Sequence, residues 1–418
     1  MITAVFIYAG SDLVIPKIGH FAQIVFILTG LSMILAGISQ KSLRVPTILL
    51  FLTIPIQISS WYFAPEIAGI ENENYPRLDR LGRWFIFLFV GYWLIGQRNF
   101  SPILWLCFII GLILSPFLTG KGFDEIISVI GGNRVDFGLR NAQHTGMFFG
   151  VAIVGLYSFM LSKLTKPSPQ KLTLILLLLL LSACTLGLIA SQTRGAWLSV
   201  GVGVIISSVL TLVLALREKR SNNSKNKYTI FITISILIVS IFLLFCFAPK
   251  ERFMKESTSI GKFIDGEIRD MKNDNVGIRV KSWASALPWI SERPIIGWGR
   301  MGSPAVIKHS GYLPSVLKPG LGHLHNSYLD ITVQYGILGL LIFFALIIWL
   351  LVFSWKSYKM KKMPTEVFVF IASFLGYWVA INTTESYMLY SSGRFVLNLV
   401  VGGALAFHLN SIKLGTKK

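Results

Sequence analysis

Apolar runs divide the chain before any motif does. A helix needs roughly 20 apolar residues to cross a bilayer. Runs near that length fall at 18–39, 45–63, 81–96, 101–119, 145–162, 172–191, 195–216, 228–248, 331–354, 366–384 and 393–409. They predict eleven membrane helices, and "MITAVFIYAGSDLVIP" at residues 1–16 is a short candidate twelfth. The first of these segments is expected to act as the insertion signal, since no cleavable signal peptide is evident. The predicted class is an all-α integral membrane protein of 11–12 transmembrane helices.

The polar segments orient the spans. Lys41 and Arg44, Arg98, "KLTKPSPQK", "REKRSNNSKNK", "KSYKMKK" and the tail "KLGTKK" hold 18 Lys/Arg and a single acid, Glu218. They recur on alternate connections without a break, which marks that side as cytoplasmic. The opposite side receives 64–80, 120–144, 384–392 and the much longer 249–325. The expected organisation is an N-terminal bundle (1–248), a large helical periplasmic loop (249–325) and C-terminal helices (326–418), together one membrane domain. Inside the loop, Ile260, Phe263, Ile264, Ile268 and Met271 follow helical spacing, as do Val280, Trp283, Ala284, Leu287 and Ile290. Such stripes predict two amphipathic helices, the second kinked or ended by Pro288.

Composition agrees with the pattern. The chain of 418 residues is 53% hydrophobic and 14% charged, with mean hydropathy +0.65, whereas soluble domains carry about 25% charged residues. A net charge of +20 raises nucleic-acid binding. The basic residues sit in short interhelical loops, however, and no basic-aromatic groove or nucleic-acid module is visible, so that class is excluded. Cys107, Cys184 and Cys246 all lie in apolar runs, which argues against disulfides and thiolate metal sites.

Candidate chemistry therefore belongs to the non-cytoplasmic face. "GWGRMG" (297–302) matches a dinucleotide fingerprint, but Pro294 and Pro304 flank it and no strand precedes it, so it is read as a turn that lets backbones pack closely. Arg194, in "SQTRGAWLS", lies between two apolar runs. An arginine at such a border is either a snorkelling interfacial side chain or an anion site, since a guanidinium fork matches phosphate. Arg279 opens the second loop helix, and Arg134, Arg140 and His144 add polar groups on the same face. His325 stands where the large loop re-enters the membrane, with Asn326 or Ser327 available as a helix cap. By itself it is an interfacial histidine with one backbone hydrogen bond; in this company it is a candidate general base toward a sugar hydroxyl. His323 and His309 are read as structural. His323 and His325 are two residues apart and would not share a helix face. With no carboxylate cluster to complete a site, no metal is expected.

Taken together, "SQTRGAWLS", "GIRVKSWASALPWISERPIIGWGRMG" (277–302) and "HNSYLDITVQYGILGLL" (325–341) resemble the O-antigen ligase and polymerase superfamily of bacterial membrane glycosyltransferases. An Arg-Gly pair on one span, an Arg-led segment ending in a Pro-x-x-Gly-x-Gly turn, and a His-Asn-Ser helix occur here in the family's order. Size favours an O-antigen ligase; His325, Asn326 and Gly336 fit its signature spacing, but Gly339 stands where a Thr is expected. The resemblance implies a donor glycan carried on undecaprenyl diphosphate, a lipid A-core acceptor, and a site at the periplasmic face of the inner membrane. Arg194 and Arg279 would hold the diphosphate and His325 would be the general base. Arg140 and Asn326 complete the expected substrate-binding set, with neither metal nor cofactor. An O-antigen polymerase, a protein O-oligosaccharyltransferase and a polytopic flippase or transporter stand as alternatives.

Overall fold

The computed structural model describes residues 1–31, 43–67, 70–71, 73–97, 99–165, 170–218, 261–263 and 265–409. Its helices, in chain order, are α1 (Ile2–Ser11), α2 (Pro16–Thr29), α3 (Arg44–Tyr62), α4 (Phe87–Trp93), α5 (Phe100–Leu118), α6 (Phe123–Ile130), α7 (Ala142–Leu164), α8 (Lys171–Ser191) and α9 (Arg194–Glu218). They continue with α10 (Asn275–Glu292), α11 (Gly302–Lys308), α12 (Ser327–Lys359), α13 (Thr365–Ile381) and α14 (Ser391–Leu409). Among the described residues there is no β-strand, only an isolated bridge between Ile67 and Ile70. The protein is an all-α, multi-pass membrane protein. Seven of its helices (α3, α5, α7, α8, α9, α12 and α14) are long and apolar enough to span, and α1 and α13 are shorter apolar helices.

Burial sorts the helices into inner and outer. Helix α14 is buried along almost its whole length, packed on α4 and α5, while α7, α9 and α13 pack mutually beside it. Helix α8 is leucine-rich, yet Leu172, Leu178, Leu179 and Leu186 are all exposed. In a water-soluble fold so large an apolar surface would be an association site; on a spanning helix it is the surface that meets lipid.

Several predicted segments differ in the structure. Residues 228–248, and 18–39 beyond Leu31, lie outside the described residues. The segment 81–96 is not one helix: a short turn at Asp79–Gly82 and a 3-10 turn at Arg83–Phe85 precede α4. Buried backbone groups at such a break need partners, and Asn398 of α14 supplies them. Its Oδ1 accepts from Phe87 N (2.8 Å) and its Nδ2 donates to Arg83 O (2.8 Å). In the large loop, the first predicted amphipathic helix is replaced over 265–272 by a 3-10 turn at Ile268–Asp270. The second forms as α10 but runs through Pro288 to Glu292. Proline removes one ladder hydrogen bond, and the turn beyond it is held from outside, since Trp298 Nε1 donates to Trp289 O (2.7 Å) and the two rings pack at 4.6 Å.

The feature that fixes the loop to the membrane helices is a seam. Helix α12 is interrupted at Gly336, where φ is +63° and ψ −164°. Carbonyls and amides freed there are taken by the segment after α10: Trp298 N donates to Val333 O (2.8 Å), Gly299 N to Gln334 O (3.0 Å), and Ile337 N to Pro294 O (2.8 Å). A Cβ on Gly336 would collide with Ile295 O, and one on Gly297 would lie 2.6 Å from Val333 O. The "GWGRMG" motif is thus a close-packing turn, as its flanking prolines implied. Non-helical backbone at membrane depth is tolerated only when protein satisfies it, and here it is satisfied pair by pair.

Candidate active site

The connections assigned to the non-cytoplasmic face converge. The start of α12 is stitched to the end of α13: Ser327 N donates to Asn382 O (2.9 Å) and Ser327 Oγ to Asn382 Oδ1 (2.5 Å). Asn326 is the cap of α12; its Oδ1 accepts from Tyr328 N (3.0 Å) and Leu329 N (3.2 Å). Its acceptor oxygen is therefore occupied by the helix rather than held toward a substrate. Buried Asp330 ties the preceding loop down by accepting from Leu324 N and from Ser386 Oγ.

This stitching places His325 against Glu385. His325 sits in the left-handed region (φ +53°), uncommon for residues other than Gly but one in which Asn, Asp and His are enriched. The surrounding structure over-determines it. His325 Nδ1 lies 3.0 Å from Glu385 Oε2, and His323 Nε2 lies 2.5 Å from Glu385 Oε1, with the two imidazoles 4.2 Å apart. Glu385 is almost fully buried. Burial alone would push its carboxyl up, but the hydrogen bonds and charges of His323 and His325 outweigh this and hold it well below the ordinary carboxylate range. The converse holds for His323: burial works against its charged form, yet the hydrogen bond and charge of Glu385 raise it above the usual imidazole value. The sequence showed no carboxylate cluster to complete a site around the histidines; the structure brings a carboxylate, Glu385, to both of them. The carboxylate comes from 60 residues away in sequence. His323, His325 and Glu385 offer ligand atoms all within 4.8 Å of one another, so they are the described group able to hold a divalent ion. His309 packs against Trp289 instead, with ring centroids 6.2 Å apart.

The network reaches the arginines through Gln143. In the amide orientation that satisfies its neighbours, Gln143 donates to Glu385 Oε2 and accepts from Arg279 Nη2 at 3.1 Å. The Gln143 carbonyl accepts from Tyr387 Oη (2.9 Å). Arg279 and Arg194 line one cleft, together with Arg134, Gln143, Gln192 and Tyr387. Arg194 is the first residue of α9, two residues after Gln192, which sits in the left-handed region (φ 48°). Gly195 is required beside it, because a Cβ there would lie 2.6 Å from Thr384 Oγ1, one residue from Glu385. Arg134 is fixed by donation from Nε to Ser191 O (2.9 Å). Arg140 is elsewhere. Its guanidinium lies 4.2 Å over the Tyr390 ring, and it lines a different cavity that His323 also lines. Tyr390 Oη is 2.7 Å from His323 Nδ1, and His144 is buried behind, 2.6 Å from Ser392 Oγ.

Residues 174–344 match a family model described as O-antigen ligase. This stretch is similar to the O-antigen ligase family. It contains Arg194, Arg279, His323, His325 and the Gly336 seam, and it ends within α12. No curated protein matches the chain. The two residues that link His325 to Arg279 lie outside this match: Gln143 before it and Glu385 after it. Neither was singled out from sequence. The signal for Glu385 was present, as "TTESYMLYSSGR" carries one acid in a short connection on a face crowded with cations. Nothing local marks Gln143, since its role depends on α7 and α10 meeting.

Proposed function

We propose that the protein is an O-antigen ligase. It transfers a polysaccharide from undecaprenyl diphosphate to a sugar hydroxyl of lipid A-core at the periplasmic face of the inner membrane. The observation that carries this reading is the chain Arg279–Gln143–Glu385–His325. It links an anion-binding guanidinium to a candidate base whose Nδ1 faces a buried carboxylate. With Nδ1–H donated to Glu385, His325 presents Nε2 as an acceptor, the arrangement by which a carboxylate fixes a histidine tautomer. The acceptor hydroxyl gives its proton to Nε2 as its oxygen bonds to the anomeric carbon. The bond from that carbon to the diphosphate oxygen breaks, and the electron pair leaves with the diphosphate. Arg194 and Arg279, across one cleft, stabilise the charge that develops there. Direct displacement inverts the anomeric centre and needs neither nucleotide sugar nor metal.

The test is transfer in a purified system of protein, lipid-linked O-antigen and rough lipopolysaccharide, read as a ladder on a gel. His325→Ala and Arg279→Ala are expected to lose at least about 100-fold in rate, the low end for a general base or a charge-stabilising donor, while still inserting into membranes. A wild-type rate in either variant would remove the role given to that residue. A chelator added to the wild-type reaction should leave the ladder unchanged; its loss, restored by a divalent ion, would reassign His323, His325 and Glu385 as ligands. Product identity separates ligase from polymerase: growth of a free lipid-linked polymer with no attachment to core would indicate a polymerase.

A further inference from the structure

The cleft of Arg194 and Arg279 is not the most basic space at this end of the molecule. Next to the Glu385 network, at His323, Ser386 and Tyr390, lies a cavity of about 540 Å³ whose wall includes Arg77, Arg80, Arg83, Arg140, Arg300 and Arg394. Asp79 is the sole carboxylate among the described residues that line it. Arg83 pairs with Asp79 (2.9 Å), and Arg77 and Arg300 both reach Glu73. Six guanidinium groups thus face two carboxylates, an excess of four positive charges before His323 is considered. Arg394 is only 9% exposed, and its Nη1 donates to Leu389 O at 3.0 Å. Burying an arginine beside like charges is costly unless an anion compensates it. The cavity adjoins a second pocket of about 220 Å³ through Arg77, Arg300 and Met301. That pocket is walled by Trp61, Tyr62, Trp298 and Tyr335, with Gln57 among them. Aromatic faces with a few polar groups suit sugar rings.

We infer that this double cavity holds the acceptor glycan, gripping phosphate groups carried by that glycan with the arginines and its sugar rings with the aromatic pocket. The inference rests on the ligase reading, and geometry chooses acceptor over donor. A displacement at the anomeric carbon needs nucleophile and leaving group on opposite sides. The diphosphate cleft contains Gln143 and Tyr387, and the arginine cavity contains His323, Ser386 and Tyr390. Glu385 bonds His323 of the arginine cavity, His325, and Gln143 of the diphosphate cleft, so the two spaces meet at the base, and with the diphosphate assigned to one the acceptor hydroxyl is assigned to the other. Arg140 belongs with the acceptor under this assignment, apart from Arg194 and Arg279.

The experiment is direct binding to the protein in nanodiscs, with no turnover required. The probes are rough lipopolysaccharide carrying its phosphates, the same material dephosphorylated with hydrofluoric acid, and undecaprenyl diphosphate. Wild type should bind the phosphorylated form about tenfold or more tightly than the dephosphorylated form, the scale of one or two charge-assisted hydrogen bonds. Arg80→Gln and Arg300→Gln should each erase most of that preference and leave undecaprenyl diphosphate binding within about twofold; Arg279→Ala should do the reverse. Arg83→Gln, at an exposed position, serves as the variant least able to disturb folding. Equal binding of the two lipopolysaccharide forms by wild type overturns the inference, and so does loss of undecaprenyl diphosphate binding in Arg80→Gln. Failure of the ligase reading looks different: no polymer would be attached to core by wild type, whatever the binding constants.

Discussion

The two basic spaces beside Glu385 differ in the described contacts of their cations. In the cleft of Arg194 and Arg279, the described contacts include the Gln143 amide accepting from Arg279, and the Ser191 carbonyl and Thr193 hydroxyl beside Arg134. In the larger cavity, Arg83, Arg77 and Arg300 are held by Asp79 and Glu73. A neutral partner orients a guanidinium without spending its charge, which suits a group that must stabilise charge developing in a transition state. A carboxylate partner orients it and also discounts its field, which suits binding that need not change during reaction. The comparison teaches that a count of arginines on one face, which is what the sequence offers, says little about which of them act on the reacting bond.

The sharpest way to break this contrast is at Glu385, which is bonded to residues of both spaces. Glu385→Gln should lower transfer about 100- to 1,000-fold, the range spanned by loss of a preorganised catalytic group. The amide cannot accept from both histidines while stabilising their charge. Rates of ladder formation would measure it, with undecaprenyl diphosphate and lipopolysaccharide binding measured alongside. If Glu385 only holds the fold, both binding constants and the rate should fall together with the melting temperature. If it positions His325, the rate falls while both substrates still bind.

Next in size is Gly195→Ala. The added methyl meets Thr384 Oγ1, pushing the start of α9 from the Glu385 connection and Arg194 with it. A displacement of a positioning group by about 1 Å costs up to about 100-fold, so a loss of about 10- to 100-fold is expected, concentrated in donor turnover. Acceptor binding in the arginine cavity should be unchanged. Equal damage to both substrates would show that the two spaces are not independent.

Smaller still is the pH response of His323. Its value is raised by Glu385, so the stability it contributes is complete below the unfolded imidazole value, about 6.5, and is lost as pH rises through the higher folded value. Glu385 is held low, so its contribution is present above the ordinary carboxylate value and is lost only in strong acid. Wild type should therefore melt highest from about pH 5 to 6.5 and fall by roughly a few degrees on the alkaline side of neutrality. His323→Gln should flatten that fall. A decline of the same size in the variant would place the titrating group elsewhere.

Much of this was legible in the sequence, and what escaped it has a common cause. The long apolar runs announced α3, α5, α7, α8, α9, α12 and α14 because a membrane helix satisfies its backbone internally and declares itself by length and composition. The run at 81–96 was misread as one helix because the device that makes a break tolerable, Asn398, lies 311 residues from the amide it caps. Gly336 was noticed only as a spacing match, since the partner strand of backbone at 294–299 is invisible to periodicity. His325, Arg194 and Arg279 stood out by type and by their place at membrane borders. Glu385 and Gln143 did not, because a buried polar group advertises nothing until its partners are known, and the pairing of His323 with His325 through one carboxylate depends on α12 and α13 meeting.

Asn326 tests the finest division between reading and structure. Beside His325 in the sequence it was expected to touch substrate; in the structure its Oδ1 caps α12. Loss of an Asn cap costs about 1 kcal/mol, so Asn326→Ala should lower the melting temperature slightly. Because the cap also sets the path of the chain through His325, a small fall in turnover, about two- to threefold, is expected from looser placement of the base. Asn326→Ser and Asn326→Asp can both cap and should restore stability and turnover together. A side chain that bound substrate through its amide would behave otherwise: Ser would restore the melting temperature but not the Michaelis constant for the acceptor, and Asp would add a charge repelling a phosphorylated glycan. Rescue by both capping variants assigns Asn326 to the helix, and the chemistry at that end of α12 then rests on His325 and the carboxylate it faces.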